Sequence, residues 1–327
     1  MVSKCFLMII NIALACTCFT SAQEIDLSEF ATTLGIQDIP VRVPPSQFKF
    51  NRDRTPATIS TRIIGGNVAT ANEYPYQVAL YVYIQRMLYF CGGTLITQQW
   101  VLTAAHCAES ATSIVIILGS HNLAEEEDSR LVYNTTTFII HENWDADTLQ
   151  NDIALIKLPK NIALTSYINT VPVANGSDLL EGLTGRCLGW GKTLLGSLSD
   201  VLRYVDVEVI SNDNCSAYSD YTEYILDQHL CTSGAGIVGS CNGDSGGPLV
   251  VDGTQVGIVS FGASDCAAGL PSVFARTTMF YDWINHNIGY YNATLYQTSS
   301  HGSRTILPTY RLFYVLISSC IIRIYWA

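Results

Sequence analysis

Positive charge is scarce in this sequence. Lysine and arginine together number 17 against 28 aspartates and glutamates, so the formal net charge is −11, and charged residues make up only 14% of the chain. The sequence contains no basic patch of the kind that nucleic-acid-binding proteins carry, so nucleic acid is not an expected partner. The excess of acidic residues is typical of a solvated surface.

Long hydrophobic runs are also rare near the C terminus. The segment 312–322 is apolar, but it is far shorter than the roughly 20 apolar residues that a membrane-spanning helix needs. The small polar residues at 299–303 suit a lipid-anchor signal, whereas Pro308 and Arg323 do not. Two interpretations therefore stay open for the tail: an extension that is removed or loosely packed, and an attachment to a membrane.

The N terminus has the pattern of a secretory signal. Lys4 precedes the apolar run CFLMIINIALAC, and small residues ending at Ala22 follow it. This pattern predicts a signal peptide over 1–22, with an uncleaved membrane anchor as the alternative. We therefore expect a secreted, extracellular protein. Acceptor sequences for N-glycosylation occur at Asn134, Asn175 and Asn292.

The cysteines fit an oxidising compartment. Four of the 11 cysteines lie in the two terminal segments. Seven lie between them, namely Cys91, Cys107, Cys187, Cys215, Cys231, Cys241 and Cys266. Because seven is odd, at least one of them lacks an internal partner.

Residues 23–62 are interpreted as a linker or pro-segment. The stretch IPVRVPPSQFKFNRDRTPATISTR contains four prolines and shows little periodicity. Residues 23–62 contain no cysteine, so a disulfide would not tether this segment once it was cut free.

From residue 63 onward, short β-rich runs alternate with turn-forming residues. The runs are QVALYVYI, GGTLI, WVLTA, SIVIILG, TFII, ALIKL, YVDVEVI, QVGIVSF and VFART. This texture predicts an all-β sandwich or barrel. One helix is expected in MFYDWINHNI, where Tyr281, Ile284 and Ile288 share a face. After residue 289 the sequence becomes polar and irregular, so 290–327 is interpreted as a C-terminal extension.

Three stretches could carry chemistry: VLTAAHC with His106, NDIALIKL with Asp152, and CNGDSGGPLV with Ser245. A serine hydroxyl is a weak nucleophile that needs a base within hydrogen-bond reach, and the base needs a third group to hold its tautomer. Each residue alone could be structural. The combination of all three in separate contexts is rarely produced by chance.

Five motifs in order carry a resemblance to a known family. They are IIGG at 63–66, TAAHC, DIAL, GWG at 189–191 and GDSGGP. Over 63–289 the chain resembles the chymotrypsin-like serine peptidases of the trypsin superfamily. The resemblance implies two six-stranded antiparallel β-barrels with a C-terminal helix and the active site between the barrels. It implies that His106, Asp152 and Ser245 are catalytic and that Ser260 supports Asp152, with no cofactor.

The resemblance also implies a zymogen. Cleavage after Arg62 would release the α-amino group of Ile63, which would pair with Asp244. A buried carboxylate is costly until it is paired, so this ion pair would order the loop. Ordering would aim the amides of Gly243 and Ser245 at the developing oxyanion.

The cysteine pairs implied by the resemblance are Cys91–Cys107, Cys215–Cys231 and Cys241–Cys266. Cys187 is then left over, and a buried free thiol is favoured over an intermolecular bridge. Trypsins hold calcium with two glutamates in one loop, and here Ser120 and Arg130 fill those positions. We therefore expect no bound metal.

The enzyme is expected to prefer substrates with an uncharged side chain before the scissile bond. Gly239 stands where trypsin-like members have the aspartate that binds arginine or lysine, Ser240 follows it, and Gly262 leaves the pocket mouth open. Together with Ser260 and Ser272, these residues form the expected substrate-binding set. The resemblance implies cleavage after Phe, Tyr, Leu or Met. Ser272 replaces a glycine and would narrow the pocket, so an elastase-like preference for small aliphatic residues is the alternative.

The sequence thus predicts a secreted serine endopeptidase that forms an acyl-enzyme. Because its pocket would reject Arg62, we expect activation by a separate trypsin-like protease. Protein or peptide substrates and protein inhibitors of proteases are the other expected partners. A membrane-tethered processing protease and a non-catalytic binding protein on a protease scaffold are the remaining alternatives. The second typically lacks a catalytic residue, and all three are present here.

Overall fold

The structure is a computed structural model that describes residues 41–42, 47–48, 66–177, 180–193 and 197–299. The chain divides into two compact units, Met1–Ile284 and Asn285–Ala327. The expected signal peptide, the activation bond at Arg62–Ile63 and the apolar tail segment lie outside the described residues. None of the described helices is both long enough and apolar enough to cross a membrane.

Strands are the predominant regular structure in the described part of the chain. Its strands are β1 (Val41–Arg42), β2 (Gln47–Phe48), β3 (Asn67–Val68), β4 (Gln77–Ile84), β5 (Met87–Leu95), β6 (Trp100–Thr103), β7 (Ser113–Leu118), β8 (Leu131–Thr135), β9 (Phe138–Ile140), β10 (Ala154–Lys157), β11 (Thr184–Gly189), β12 (Arg203–Ile210), β13 (His229–Thr232), β14 (Pro248–Val251), β15 (Thr254–Ala263) and β16 (Ser272–Arg276). The helices are α1 (Ala105–Ala108), α2 (Asn212–Ser216) and α3 (Thr277–Ser299).

The first sheet has the strand order β8-β7-β4-β5-β6-β10-β9, and all of these neighbours pair antiparallel. Its end strands β8 and β9 do not pair with each other in the described structure, so the sheet is a curled half-barrel. Strand β1 adds to it in parallel, beside β5.

The second sheet closes on itself. Its order is β11-β14-β15-β16-β13-β12, and β12 pairs again with β11, which completes a six-stranded antiparallel barrel. Strand β3 extends the barrel from β12, and β2 pairs in parallel with β15. Barrel closure removes the open strand edges that would otherwise be exposed.

The alternation of residues along β12 shows why this sheet closes around a core. Val205, Val207 and Val209 are buried at 1–2% exposure, while Asp206 and Glu208 between them are exposed. Because successive side chains of a strand point to opposite faces, the three valines all enter the barrel interior. Burying each such side chain stabilises the fold by about 1.5–3 kcal/mol.

The expected fold class is confirmed: two barrel-like sheets with few helices and a C-terminal helix. Each apolar run named above overlaps a strand. Besides the two-residue strands β1, β2 and β3, four strands were not expected, namely β8, β11, β13 and β14. These four are harder to recognise because they contain polar, glycine or proline residues, as in LVYNT, TGRCLG, HLCT and PLVV. Their strand pairing comes from neighbours that are distant in sequence.

Two expectations about the ends of the peptidase domain differ from the structure. Helix α3 continues to Ser299, although 290–299 was expected to be irregular. No proline stands between the start of this helix and Pro308, so nothing breaks its backbone hydrogen bonds. In addition, the proline-rich segment 23–62 contributes two short strands, β1 and β2, because each finds a partner strand in a different sheet.

Candidate active site

The pairing of two strands brings His106 and Asp152 together. In the register of β6 and β10, Thr103 lies opposite Ala154. His106 follows Thr103 in helix α1, and Asp152 precedes Ala154, so both residues lie at the same end of this strand pair. The Nδ1 atom of His106 is 2.8 Å from Oδ2 of Asp152, and the amide of His106 donates to Oδ1 over 2.9 Å. Two hydrogen bonds therefore fix the ring and the helix start against one carboxylate.

Asp152 is buried at 1% exposure and has a further donor from the second sheet. The hydroxyl of Ser260, in β15, donates to Oδ2 over 2.5 Å. Burial acts to raise the pKa of Asp152, but the charge and hydrogen bonds of His106 and the hydroxyl of Ser260 outweigh it, so the pKa lies below its usual value. The carboxylate is thus ionised and can hold the His106 ring in one tautomer.

Ser245 is held against the first sheet by its own backbone. Its carbonyl accepts a hydrogen bond of 2.7 Å from the amide of Gly92 in β5. The disulfide Cys91–Cys107 joins the neighbour of Gly92 to the neighbour of His106. The same crosslink therefore anchors both the serine and the histidine, which come from different sheets.

The imidazole has one nitrogen ready for chemistry. Nε2 of His106 is buried and has no hydrogen-bond partner in the described structure. Ser245 itself is only 4% exposed. A histidine that is fixed through Nδ1 and unpartnered at Nε2 can accept a proton from a nearby hydroxyl and return it later.

The amides of Gly243 and Ser245 flank Asp244 and donate no hydrogen bond within the described structure. Gly243 has a φ of +100°, a conformation that other residues rarely adopt. A Cβ at Gly243 would also lie 2.5 Å from Leu198. Two free amides beside a serine are the arrangement that stabilises a developing oxyanion.

Asp244, the residue between these two amides, is fully buried. Its carboxylate accepts hydrogen bonds of 2.8 Å from the amide of Gly191 and 2.9 Å from the amide of Cys241. Burial raises its pKa to about 7, although the two amides act to lower it. A Cβ at Gly191 would lie 2.4 Å from the Asp244 carboxyl carbon, which explains the last glycine of the GWG motif.

A cavity that is open to solvent lies beside Ser245. Three of the expected substrate-binding residues line it: Ser240, Ser260 and Gly262. The rest of its lining is Cys241, Asn242, Ser245, Val259, Phe261, Ala263 and Cys266. None of these side chains is charged, so the cavity suits an uncharged group.

The other two expected substrate-binding residues, Gly239 and Ser272, do not line the cavity. The hydroxyl of Ser272 accepts a hydrogen bond of 3.2 Å from the amide of Ser240. It would lie 2.7 Å from a Cβ at Gly239. Ser272 therefore lies close to both Gly239 and the amide of Ser240, a residue that lines the cavity.

The remaining cysteines pair as the resemblance implies. Disulfides join Cys215 to Cys231 and Cys241 to Cys266, and Cys241 and Cys266 both line the cavity. Cys187 is a buried free thiol, and burial raises its pKa well above the usual value. It lies in the core of the closed barrel.

The loop after Gly119 is bridged by a side-chain cation. The guanidinium of Arg130 donates to the carbonyls of Asn122 and Glu125 and to the hydroxyl of Ser120. The carboxylate of Glu127 accepts from Ser120 and from the amides of His121 and Asn122. Arg130 thus supplies positive charge to carbonyl oxygens of this loop.

The three glycosylation acceptors differ in environment. Asn175 is exposed in a loop, whereas Asn134 lies in β8, and its Oδ1 is buried with no hydrogen-bond partner in the described structure. Asn292 lies in helix α3. Exposure therefore favours Asn175 over Asn134 as an acceptor.

Sequence reasoning did not identify Gly92, whose amide positions Ser245, or Asn242 and Ala263, which line the cavity. Asn242 could have been found because it is adjacent to Gly243. No local signal marks Gly92, because its role depends on a contact with a residue far away in sequence.

Comparison with known proteins places this geometry in a family. The sequence model of the Trypsin family matches residues 63–284. The chain is 42% identical to a brachyurin of Leptuca pugilator, over 69% of this chain and 99% of that protein. It is 36% identical to a chymotrypsin of Phaedon cochleariae, over 79% and 94%.

A solved structure gives the same result. The structure of an HL collagenase superposes with a TM-score of 0.63 at 34% identity, over 69% of this chain and 98% of that chain. The hydrogen-bonded histidine–aspartate pair, the two free amides of Gly243 and Ser245 and these similarities agree. The chain belongs to the trypsin family and is a serine endopeptidase.

Proposed function

We propose that the protein is secreted as a zymogen, is activated by cleavage after Arg62, and hydrolyses proteins or peptides after large apolar or aromatic residues. The observation that carries the specificity is the cavity beside Ser245, which has no charged side chain in its lining. A cationic side chain placed there would lose its hydration without gaining a counter-charge.

In the proposed reaction, His106 Nε2 takes the proton of the Ser245 hydroxyl as Oγ attacks the scissile carbonyl. The amides of Gly243 and Ser245 stabilise the oxyanion of the tetrahedral intermediate. The intermediate collapses to an acyl-enzyme as His106 gives the proton to the leaving amine. Water then attacks the ester by the same steps in reverse, with His106 again as the base. Asp152 keeps the ring oriented and stabilises the imidazolium.

The environment of Asp244 supports the zymogen proposal. Its carboxylate is fully buried, and within the described structure its hydrogen-bond donors are two neutral amides. A pKa raised to about 7 means that the site favours the neutral acid unless a cation arrives. The ammonium group released by cleavage after Arg62 would be that cation. Once paired, Asp244 holds the amides on either side of it in place.

The proposal is tested with the chain that lacks residues 1–22. The chain is treated with trace trypsin, and its new N terminus is sequenced while activity is recorded on matched peptides with Phe, Leu, Ala or Arg before the scissile bond. We expect a new N terminus at Ile63 together with cleavage after Phe and Leu. Cleavage after Arg in preference to Phe would contradict the uncharged pocket. An Ile63 terminus without activity on any peptide would contradict the assigned catalytic residues.

The alternative, a preference for small aliphatic residues, depends on Ser272. Its hydroxyl contacts the Ser240 amide, so it occupies volume behind the cavity wall. We expect Ser272→Gly to deepen the pocket and to raise the Phe-to-Ala ratio of kcat/KM by about tenfold, because the extra depth accommodates roughly one more buried group. An unchanged ratio would show that Ser272 does not limit pocket size.

A further inference from the structure

Strands β5 and β15 each leave part of one edge unpaired by the neighbouring strands of their sheets. Strand β5 is paired with β4 along its whole length, but on its other side it pairs with β6 only at Thr94 and Leu95. Strand β15 pairs with β16 on one side as far as Gly262, while on its other side β14 reaches only Ile258. The unpaired edges of β5 and β15 carry backbone donors and acceptors that an extended peptide can complete.

Both open edges are taken by the pro-segment. Val41 and Arg42 of β1 pair with Leu88 and Tyr89 of β5. Gln47 and Phe48 of β2 pair with Gly262 and Ala263 of β15. Both pairings are parallel.

The paired residues lie near the nucleophile in both sheets. Gly92, a few residues along β5 from the contact with β1, donates its amide to the Ser245 carbonyl. Gly262 and Ala263, the contacts of β2, line the cavity together with Ser245. Because only 43–46 separate the two strands, their facing ends are at most about 18 Å apart. The two short strands of the pro-segment therefore pair with two different sheets, and both of these sheets contribute residues close to Ser245.

The pro-segment differs from a substrate in the direction in which its chain runs through the site. In the proposed reaction, the residue whose side chain enters the cavity supplies the carbonyl that Ser245 attacks. The N-terminal part of a substrate therefore lies on the β15 side, and the leaving part lies toward β5. The pro-segment runs the other way, from β5 at Val41 to β15 at Phe48.

We propose that β1 and β2 make the pro-segment a built-in inhibitor that occupies the substrate-binding edges of β5 and β15 in the direction opposite to substrate. This inference rests on the proposed function, because it uses the assignment of the cavity to the residue before the scissile bond. A reversed peptide blocks both edges, yet it does not present a carbonyl with the side chain and chain direction that the site requires. The segment thus inhibits without being consumed.

This arrangement gives cleavage after Arg62 a second effect. While the segment is attached, its local concentration is on the order of millimolar, so two short pairings are enough to hold it. After cleavage it has no cysteine through which to stay tethered. Occupancy then depends on the concentration of the free segment, and dilution releases the cleft.

The first test uses a synthetic peptide of residues 37–52 with enzyme that has been cut at Arg62 and separated from its pro-segment. We expect competitive inhibition with an inhibition constant below about 1 mM, since the attached segment acts at that concentration. A scrambled peptide is the control. Absence of inhibition at the solubility limit, or inhibition that substrate does not relieve, would overturn the proposal.

The same incubation tests direction, because the sequence QFKF contains a residue that this enzyme is proposed to cut after. We expect mass spectrometry to show an intact bond after Phe48 under conditions in which a matched Phe substrate is hydrolysed. Cleavage after Phe48 would show forward binding and overturn the reversed arrangement.

Binding is also measured without any turnover. The synthetic peptide of residues 37–52 is labelled with a fluorophore and titrated with Ser245→Ala enzyme that has been cleaved at Arg62. We expect the labelled peptide to bind and to be displaced by a Phe-containing peptide. This measurement separates the inhibitor proposal from the proposed function. If the active enzyme cleaves none of the test peptides, the proposed function fails. Binding and displacement of the labelled peptide still decide whether the pro-segment occupies the substrate site.

The second test changes the segment in the full chain. The double substitution Gln47→Pro and Phe48→Pro removes both amide donors of β2, and Asp53→Pro lies outside the paired residues and serves as the control. After trypsin treatment without separation, we expect the specific activity of the wild-type and control chains to rise on dilution. The double variant, with affinity weakened by about tenfold or more, is fully active at once. Identical dilution curves for all three chains, recorded over concentrations that span the inhibition constant of the peptide, would overturn the proposal.

Discussion

The loops around Asp152 and Asp244 each bury a carboxylate almost completely, at 1% and 0% exposure, yet their pKa values move in opposite directions. Burial acts to raise both. For Asp152, the charge and hydrogen bonds of His106 and the hydroxyl of Ser260 reverse this effect, and the pKa is lowered. For Asp244, the amides of Cys241 and Gly191 only reduce the effect, and the pKa is raised to about 7.

The difference lies in the hydrogen-bond donors that surround each carboxylate. Asp152 receives its donors from helix α1 and strand β15, and one of them is a side chain that can carry positive charge. The described donors to Asp244 are neutral amides close to it in space. Neutral donors compensate a buried charge less than a cation does. The first site is thus complete in the folded chain, and the second is suited to a cation that arrives later.

The largest expected loss of activity comes from removing the charge of Asp152, whose hydrogen-bond partners are all present in the folded chain. Asp152→Asn removes the charge that orients His106, and we expect kcat/KM of the cut enzyme to fall by about ten-thousandfold. The measurement is hydrolysis of the Phe peptide by enzyme with a confirmed Ile63 terminus. A loss of less than tenfold would mean that Asp152 is not the partner of a catalytic histidine.

Removing the charge of Asp244 should lower activity less than removing that of Asp152, and for a different reason. In cut enzyme, Asp244→Asn removes the ion pair proposed with Ile63, so the amides of Gly243 and Ser245 lose their alignment. We expect activity to fall by about a hundred- to a thousandfold, the cost of a lost oxyanion donor. Asp252→Asn, at an exposed turn, is the matched control and should keep full activity. Equal activities of the two variants would contradict the proposed pairing.

The two aspartates should also give opposite pH dependence of stability in the uncut chain. A raised pKa means that the folded state holds the Asp244 proton up to about pH 7, whereas the unfolded state loses it near the ordinary value of 3.8. Between these values the folded state binds more protons, so this group lowers stability as pH rises. Asp152, with a lowered pKa, instead adds stability above the ordinary value, and this stability is lost as pH falls through the folded pKa.

Urea unfolding of uncut chains checks this contrast, with Ser245→Ala present to prevent self-cleavage. Relative to that parent, Asp244→Asn should gain on the order of a few kcal/mol as pH is raised from about 4 to about 8. Asp152→Asn should be less stable than the parent across this range, and the difference should shrink as pH falls below the ordinary value of 3.8. Parallel curves for the two variants would show that both carboxyls titrate alike.

The smallest effect is expected from removing one hydrogen bond to the Asp152 carboxylate while keeping its charge. Ser260→Ala deletes the hydroxyl that donates to Asp152 and leaves His106 in place. We expect about 1–2 kcal/mol lower stability and a fall in kcat of about tenfold, because one of several hydrogen bonds to the carboxylate is lost. Ser260→Thr should retain most of the activity, since it keeps the hydroxyl. A change in KM alone would place Ser260 in substrate binding.

Most of the fold was predictable where residues alternate regularly. The valines of YVDVEVI alternate with acidic residues, and the expected strand is present as β12. Strands β11 and β14 were missed because TGRCLG and PLVV carry no such alternation, and their pairing partners lie in other parts of the chain. The extension of α3 beyond residue 289 was missed because a polar sequence without proline is compatible with both coil and helix.

The site was predictable from motifs, but its geometry was not. His106, Asp152 and Ser245 were predicted as catalytic because each lies in a distinctive short sequence. Gly92 and Ala263 are placed at the site by contacts that local sequence does not record. Ser272 was expected on the pocket wall, and the structure places its hydroxyl on the Ser240 amide instead. A side-chain direction of this kind depends on how β16 packs against the 239–247 loop.

The sequence by itself determined the family, the chemical groups of the site and the absence of a charge at Gly239, because these depend only on which residues are present and in what order. Only the tertiary structure decided that Asp152 and Asp244 have opposite pKa shifts, since desolvation and hydrogen bonding are properties of the folded environment. The tertiary structure also decided that the proline-rich segment forms β1 and β2 on the open edges of β5 and β15. A strand pairing exists only when its partner is present, so no local pattern could have shown it.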